Sequence, residues 1–272
     1  MLADLGHTGA IGHPHPMPKP LPSTPQRYAA IDTLRGFAMV WMTVFHFCFD
    51  LSHFGWWRQD FYGDPVWTLQ RTAIVSLFLF CAGLGQAVAQ SQQVGWPRFW
   101  RRWWQIVGCA LLVSLGSWFM FPRSFIYFGV LHGMAVMLLL ARLSAGWGRW
   151  LWPAGLAALL LPVAAQALLT GPLAAWSASF DARWLNWLGL VSRKPITEDY
   201  VPVLPWLGVL WWGLAAGQWL LARHRQRLMA PVPRPLAGLA LLGRWSLTYY
   251  MLHQPVMIGA LLAAGWLVAR AA

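Results

Sequence analysis

Charge is scarce in this chain: only 10% of its 272 residues are Asp, Glu, Lys or Arg, against about a quarter in an ordinary soluble domain. Acids are the rarest of these, eight against twenty Lys and Arg. Cysteine is limited to Cys48, Cys81 and Cys109. Each lies in an apolar run, so there is neither a disulfide framework nor a zinc-ligand spacing. So little charge excludes the surface of a soluble globular protein. The shortage of acids leaves a net charge of +12, which in so apolar a chain reads as loops facing anionic lipid and not as a nucleic-acid footprint.

Apolar and aromatic residues make up the difference. Hydrophobic residues are 58% of the chain and 21 residues are Trp, a side chain that favours membrane interfaces because one edge is apolar and the other polar. Seven apolar stretches are long enough to cross a hydrocarbon core as helices, at about residues 30–50, 71–90, 103–121, 125–142, 150–169, 202–222 and 245–268. The expected fold is therefore all-α, a polytopic transmembrane helix bundle of about seven spans in contact with the lipid bilayer. The run Leu236 to Leu242 is too short to cross alone and reads as the lead-in to the last span. Residues 1–26, with His13-Pro14-His15-Pro16 and Pro18-Lys19-Pro20, cannot build a helix or pack a core and read as a disordered cytoplasmic tail. That tail lacks the apolar run and cleavage site of a secretory signal, and His7, His13 and His15 within it read as solvated. Residues 27–272 form the expected transmembrane domain.

Charge asymmetry gives the orientation. With the N-terminus inside, thirteen of the twenty basic residues and only Asp4 and Asp32 among the acids fall on the inner side. The inner side then carries a net +11 and the outer side +1.

Ionisable groups inside spans cost about 2.5–3.5 kcal/mol each on insertion scales, so those that occur need a reason. On the first span Asp32, Arg35, Thr43, His46, Asp50 and His53 follow at steps of 3, 8, 3, 4 and 3, which places them along one helical stripe. The stripe must face the bundle or a water-filled cleft. Asp32 and Arg35 fit either an i, i+3 structural pair or a ligand site. His46, one turn from the Asp50 carboxylate, fits a base whose tautomer is fixed by its neighbour. Ser76, Gln86 and Gln90 interrupt the second span, with Ser76 and Gln90 reading as interhelical hydrogen-bonding groups. His132 lies in the fourth span. Thr248, Tyr249, Tyr250, His253 and Gln254 interrupt the seventh, where Pro255 frees the Met251 carbonyl beside His253. Asp199-Tyr200 before Pro202 would hold an acid at the outer mouth, and Gly243-Arg244 would open the seventh helix as a phosphate-binding turn.

Four ordered blocks carry a family resemblance. They are Arg27-Tyr28-Ala29-Ala30-Ile31-Asp32-Thr33-Leu34-Arg35-Gly36 with His46 and Asp50; Phe128-Gly129-Val130-Leu131-His132; Asp199-Tyr200-Val201-Pro202-Val203-Leu204-Pro205-Trp206-Leu207-Gly208; and Leu242-Gly243-Arg244-Trp245-Ser246-Leu247-Thr248-Tyr249-Tyr250-Met251-Leu252-His253-Gln254-Pro255. Together they resemble the bacterial branch of the membrane acetyltransferases related to heparan-α-glucosaminide N-acetyltransferase, over about residues 27–260. The resemblance implies an integral protein of a bacterial inner membrane that moves an acetyl group from cytosolic acetyl-CoA to an amino or hydroxyl group of a sugar or glycan outside.

On that reading Arg35, Arg244 and His253 contact the donor. Arg35 and His46 are eleven residues apart, about 16.5 Å along one helix face, a span suited to an extended pantetheine arm. His46 acts as general base with Asp50 orienting it, and His132 stabilises the thioester oxyanion or serves as a second base. His53, Asp199 and Tyr200 lie on the acceptor side. No metal or haem is expected, and a second copy of the chain is a candidate partner. Three other classes share these residues. A proton-coupled transporter would use the same His, Asp and Arg stripe. A b-type haem protein would pair two of His46, His132 and His253, and a metal site would use His46, Asp50 and His53.

Overall fold

The computed structural model describes residues 26–271. The tail read from the sequence, with His7, His13 and His15, lies outside the described residues apart from Gln26. Ten α-helices follow in order: α1 (Ala29–His53), α2 (Pro65–Ser91), α3 (Trp96–Met120), α4 (Val130–Ser144), α5 (Leu151–Thr170), α6 (Ser177–Asp181), α7 (Val203–Arg223), α8 (Arg225–Met229), α9 (Ala237–Arg244) and α10 (Ser246–Ala271). Among the described residues, extended pairing amounts to one parallel bridge between Phe128 and Tyr200. The fold is an all-α bundle.

Six of the expected apolar stretches coincide with helices to within about one residue at the ends the helices do not extend. The fourth, expected from residue 125, becomes helical only at Val130, because Phe128 pairs with Tyr200 in an extended bridge. Helices α2 and α3 begin earlier than hydropathy alone suggests, because Pro65 and Pro97 sit in their first turns, where the missing N–H costs no hydrogen bond. The Asp64 side chain accepts from the Val66 N–H at 2.7 Å and caps α2. Among the described residues, five helical units are long and apolar enough to cross a membrane: α1, α2, α3, α10 and the stretch Val130–Thr170. That stretch joins α4 to α5 through Gly148, whose φ of +55° breaks the helical run. Helix α7 is 21 residues long, but four tryptophans and Gln218 lower its mean hydropathy.

The helices approach closely where glycines face backbone. Helices α2 and α7 share the broadest interface. A Cβ at Gly83 would overlap the Leu210 carbonyl, and one at Gly213 would overlap the Phe80 carbonyl. Small residues of this kind let helices pack in lipid, where no hydrophobic force drives them together. Leu79, Met137, Leu210 and Leu214 are fully buried behind this contact.

The segment expected as a lead-in to the last span is a separate helix. Helix α9 lies along α1, with Gly36 against the Leu239 carbonyl and Gly243 against the Asp32 carbonyl. Gly243 and Arg244 therefore close α9, and α10 opens at Ser246. The glycine is explained by backbone contact with α1.

A side chain at Gly243 must push α9 off α1. Gly243→Val should lower stability by about 1–3 kcal/mol, read as a reduced melting temperature in detergent. Gly238→Ala, on the same helix with nothing within 4 Å of an added Cβ, should melt at or above wild type. Equal melting of Gly243→Val and wild type would refute the α1–α9 contact.

Candidate active site

The polar stripe of α1 is built as the spacing predicts, and its residues find partners in three layers. At the N-terminal end Asp32, 6% exposed, accepts from both Arg27 (3.2 and 3.3 Å) and Arg35 (3.1 Å). Both arginines line a cavity of about 590 Å³ between α1, α2, α3, α4 and α10. Arg98, Arg102 and Arg142 join them, so five arginines and one carboxylate, that of Asp32, line the cavity. The Arg142 guanidinium donates to the Val94 carbonyl and lies over the Trp96 ring at 5.3 Å. Deeper in, the lining becomes apolar, with Met39, Phe78, Ile106, Val130, Leu131 and Met134, and it includes Tyr250. From Ile31 to Met39 the wall follows about 12 Å of helix. The cavity thus has a cationic mouth and an apolar depth.

In the middle layer α1 meets α10. The Thr43 and Tyr249 hydroxyls lie 2.7 Å apart. The His46 and His253 rings meet edge to face with centroids 5.2 Å apart, and Tyr250, which lines the cavity, lies 5.7 Å from His253. In the outer layer Gln254 donates to Asp50 Oδ1 at 2.8 Å. Asp50 therefore pairs across the helix crossing, and among the described residues no hydrogen bond joins it to His46. An i, i+4 spacing puts two residues on one face. Which neighbour a side chain then chooses depends on the facing helix.

His132 holds the start of its helix. Its Nδ1 accepts from the Gly129 N–H at 3.3 Å, which leaves Nε2 as the donor to Ser114 Oγ at 3.1 Å. The Ser114 hydroxyl then donates to the Ile126 carbonyl at 2.6 Å. Both ring nitrogens are engaged in fastening the loop before α4. The Asp199 carboxylate caps the same helix, accepting from the Val130 N–H at 2.7 Å, and the Tyr200 hydroxyl donates to the Asn186 carbonyl at 2.6 Å. His53 is exposed at the end of α1 against Phe121, with centroids 5.4 Å apart. Arg244 is exposed and does not line the cavity. The structure thus joins Arg35 to the cavity and His46, Asp50 and His253 to one crossing, and it leaves Arg244, His132 and His53 apart from both.

Sequence reading missed Arg98, Arg102 and Arg142 as cavity residues, having counted them as topology charges. Arg98 and Arg102 stand four apart on one face of α3, a signal that was there to be used. Gln90 is the interhelical group its position suggests: it donates to the Ala145 carbonyl at 2.9 Å and accepts from Gln218 at 2.6 Å.

A sequence profile described as heparan-alpha-glucosaminide N-acetyltransferase, catalytic, matches residues 27–255. The chain belongs to this family. It is an integral membrane protein of an N-acetyltransferase family, and the match does not favour the transporter reading. No curated protein and no solved structure matches it. His46 and His253 touch edge to face, which leaves no room for a macrocycle between them. Among the described residues no three of His, Cys, Asp and Glu come together as a metal site.

Asp199 gives a test of this geometry in the outer loop. Burial pushes its carboxyl above the usual range, opposed by the Val130 N–H and by the charges of Lys194 and Arg71. A carboxyl whose folded pKa lies above its unfolded value holds its proton more firmly when folded. Its stabilising contribution is complete below about pH 4 and is lost as pH rises through the folded value. Asp199→Asn keeps an acceptor for Val130 and removes the charge. It should melt at or above wild type at pH 7 and show a flatter pH dependence above pH 4. The wild-type slope in the variant would refute the buried cap.

Proposed function

We propose that this protein is an acetyl-CoA-dependent transmembrane acetyltransferase that modifies an amino or hydroxyl group of a sugar or glycan on the far side of the membrane. The observation that carries the reading is the cavity with five arginines at its mouth and an apolar depth, in a chain of this family. A donor with phosphates at one end and a long uncharged arm ending in a thioester matches that gradient. The phosphates would meet Arg27, Arg35, Arg98, Arg102 and Arg142 through charge-assisted hydrogen bonds. The pantetheine arm would run along α1 towards Tyr250, beyond which lies the His46–His253 pair.

Charge placement supports the sidedness. The mouth arginines all belong to the set that the charge asymmetry puts inside, so the donor would enter from the cytosol. Seven crossings, by α1, α2, α3, α4, α5, α7 and α10, would take the N-terminus from inside to a C-terminus outside. A bacterial inner membrane fits this arrangement. Asp32 has two functions here. It neutralises part of the cluster before the donor arrives, and it orients Arg27 and Arg35.

Calorimetry of acetyl-CoA against the detergent-purified protein tests the reading. Loss of a charge-assisted hydrogen bond costs about 1.5–3 kcal/mol, so Arg35→Ala and Arg102→Ala should each weaken binding about 10- to 100-fold. Arg244→Ala, outside the cavity, should change it less than about threefold. Absence of saturable binding at millimolar donor would overturn the proposed function.

A further inference from the structure

Four buried side-chain polar atoms have no hydrogen-bond partner among the described residues: Asp50 Oδ2, His253 Nε2, Gln254 Oε1 and, elsewhere, Asn186 Oδ1. Three of the four lie where α1 crosses α10. Asp50 is 3% and His253 7% exposed, and a buried polar atom left unpaired costs about 1–3 kcal/mol. Such a cost gathered at one crossing, when the same bundle satisfies Gln90, Gln218 and Ser144, points to a ligand.

The chemistry of the three atoms is uniform. His253 Nδ1 lies 2.7 Å from the Tyr250 carbonyl. A carbonyl only accepts, so Nδ1 carries the proton and Nε2 presents a lone pair. Asp50 Oδ1 accepts from Gln254, which orients the amide so that its NH₂ faces the carboxylate and its Oε1 faces away. Asp50 Oδ2 is a second carboxylate oxygen. All three free atoms are therefore acceptors. A molecule that satisfies them must bring several N–H or O–H donors. A thioester carbonyl has none, whereas an amino sugar or another polyhydroxyl amine has many.

The His253 ring is also held as a base must be. It stacks on Tyr249 with centroids 5.9 Å apart and planes at 13°, and it meets His46 edge to face. Tyr249 is itself fixed by Thr43. His46 is held by ring contacts with Phe45 and His253, and no hydrogen bond among the described residues fixes its tautomer.

We propose that the α1–α10 crossing binds the acyl acceptor, a donor-rich amine or polyol, and that His253 Nε2 takes the proton from its nucleophilic nitrogen or oxygen. This rests on the acyltransferase reading above. The freed lone pair forms the new C–N or C–O bond at the thioester carbonyl carbon, the C–S bond breaks, and the proton held on His253 passes to the departing sulfur. Asp50 Oδ2 and Gln254 Oε1 accept from the acceptor's remaining donors and position it. The assignment moves the base from His46, where the sequence suggested it, to the histidine whose tautomer the fold fixes, and takes His253, which does not line the cavity, out of the expected donor contacts.

Glucosamine serves as the probe. In reconstituted protein carrying ¹⁵N-histidine, the His253 signal, identified by its loss in His253→Gln, should show a protonated Nδ1 and an unprotonated Nε2, and the Nε2 resonance should move on adding glucosamine without donor. The opposite tautomer, or no movement at saturating glucosamine, would overturn the proposal. With acetyl-CoA present, His253→Gln should lower the turnover of glucosamine acetylation about 100- to 10,000-fold while acetyl-CoA binding stays within twofold of wild type. Transfer by His253→Gln within threefold of wild type would also overturn it, leaving the donor assignment intact. If wild type binds no acetyl-CoA, the acyltransferase reading fails, and the resonance measurement still decides whether the crossing binds an amine.

Discussion

The Asp32 carboxylate, buried at the start of α1, holds two guanidinium groups at once, and much of the bundle's inner end is arranged around that pairing. A lone buried carboxylate or a bare set of five arginines would be expensive in apolar surroundings. Together they are tolerated, and the excess positive charge is left pointing into a cavity. The same residue's backbone carbonyl meets Gly243, so the helix that covers α1 is seated by the residue that organises the charge. Replacing Asp32 would therefore disturb the cationic mouth, while the α9 contact, made by the backbone, would keep its carbonyl.

Burial in lipid requires every polar group of a span to find its partner inside the protein, and the stripe on α1 meets that demand unevenly. Asp32, Arg35 and Thr43 are paired. Asp50 is half paired, and His46 and His253 face one another through their rings. Satisfaction thus falls off from the inner end of α1 towards the middle of the crossing with α10. Gln90 and Gln218, by contrast, pair with one another and with the Ala145 carbonyl. Among the described residues, three of the four unpartnered buried side-chain atoms gather at this crossing.

Periodicity made much of this legible. The stripe on α1, the helix positions, and the bonding role of Gln90 follow from residue spacing, because spacing fixes which residues share a face. Partners across the bundle do not follow from it. Asp50 chose Gln254 over His46, and His132 turned to Ser114 and Gly129, because the choice depends on which helix lies opposite and at what height. Arg244 was assigned to a helix start that the structure places as a helix end. The deciding feature was the backbone contact between Gly243 and Asp32, which no local pattern records. The arginines on α3 and α4 were visible as charges. Their convergence needed the α3 and α4 positions relative to α1.

Donor cavity and acceptor crossing, on the proposed reading, share α1 and α10, and this sets what must cross the membrane. The cavity ends at Tyr250 and the base stands at His253, about 4.5 Å further along α10. Only the acyl group and its thioester sulfur need pass the Tyr250 layer; the phosphates stay with the arginines and the acceptor stays among the free oxygens. A protein built this way needs no alternating opening to either side, since neither substrate crosses. The stack of Tyr249 on His253, anchored to Thr43 on α1, keeps the base in place at the edge of that layer.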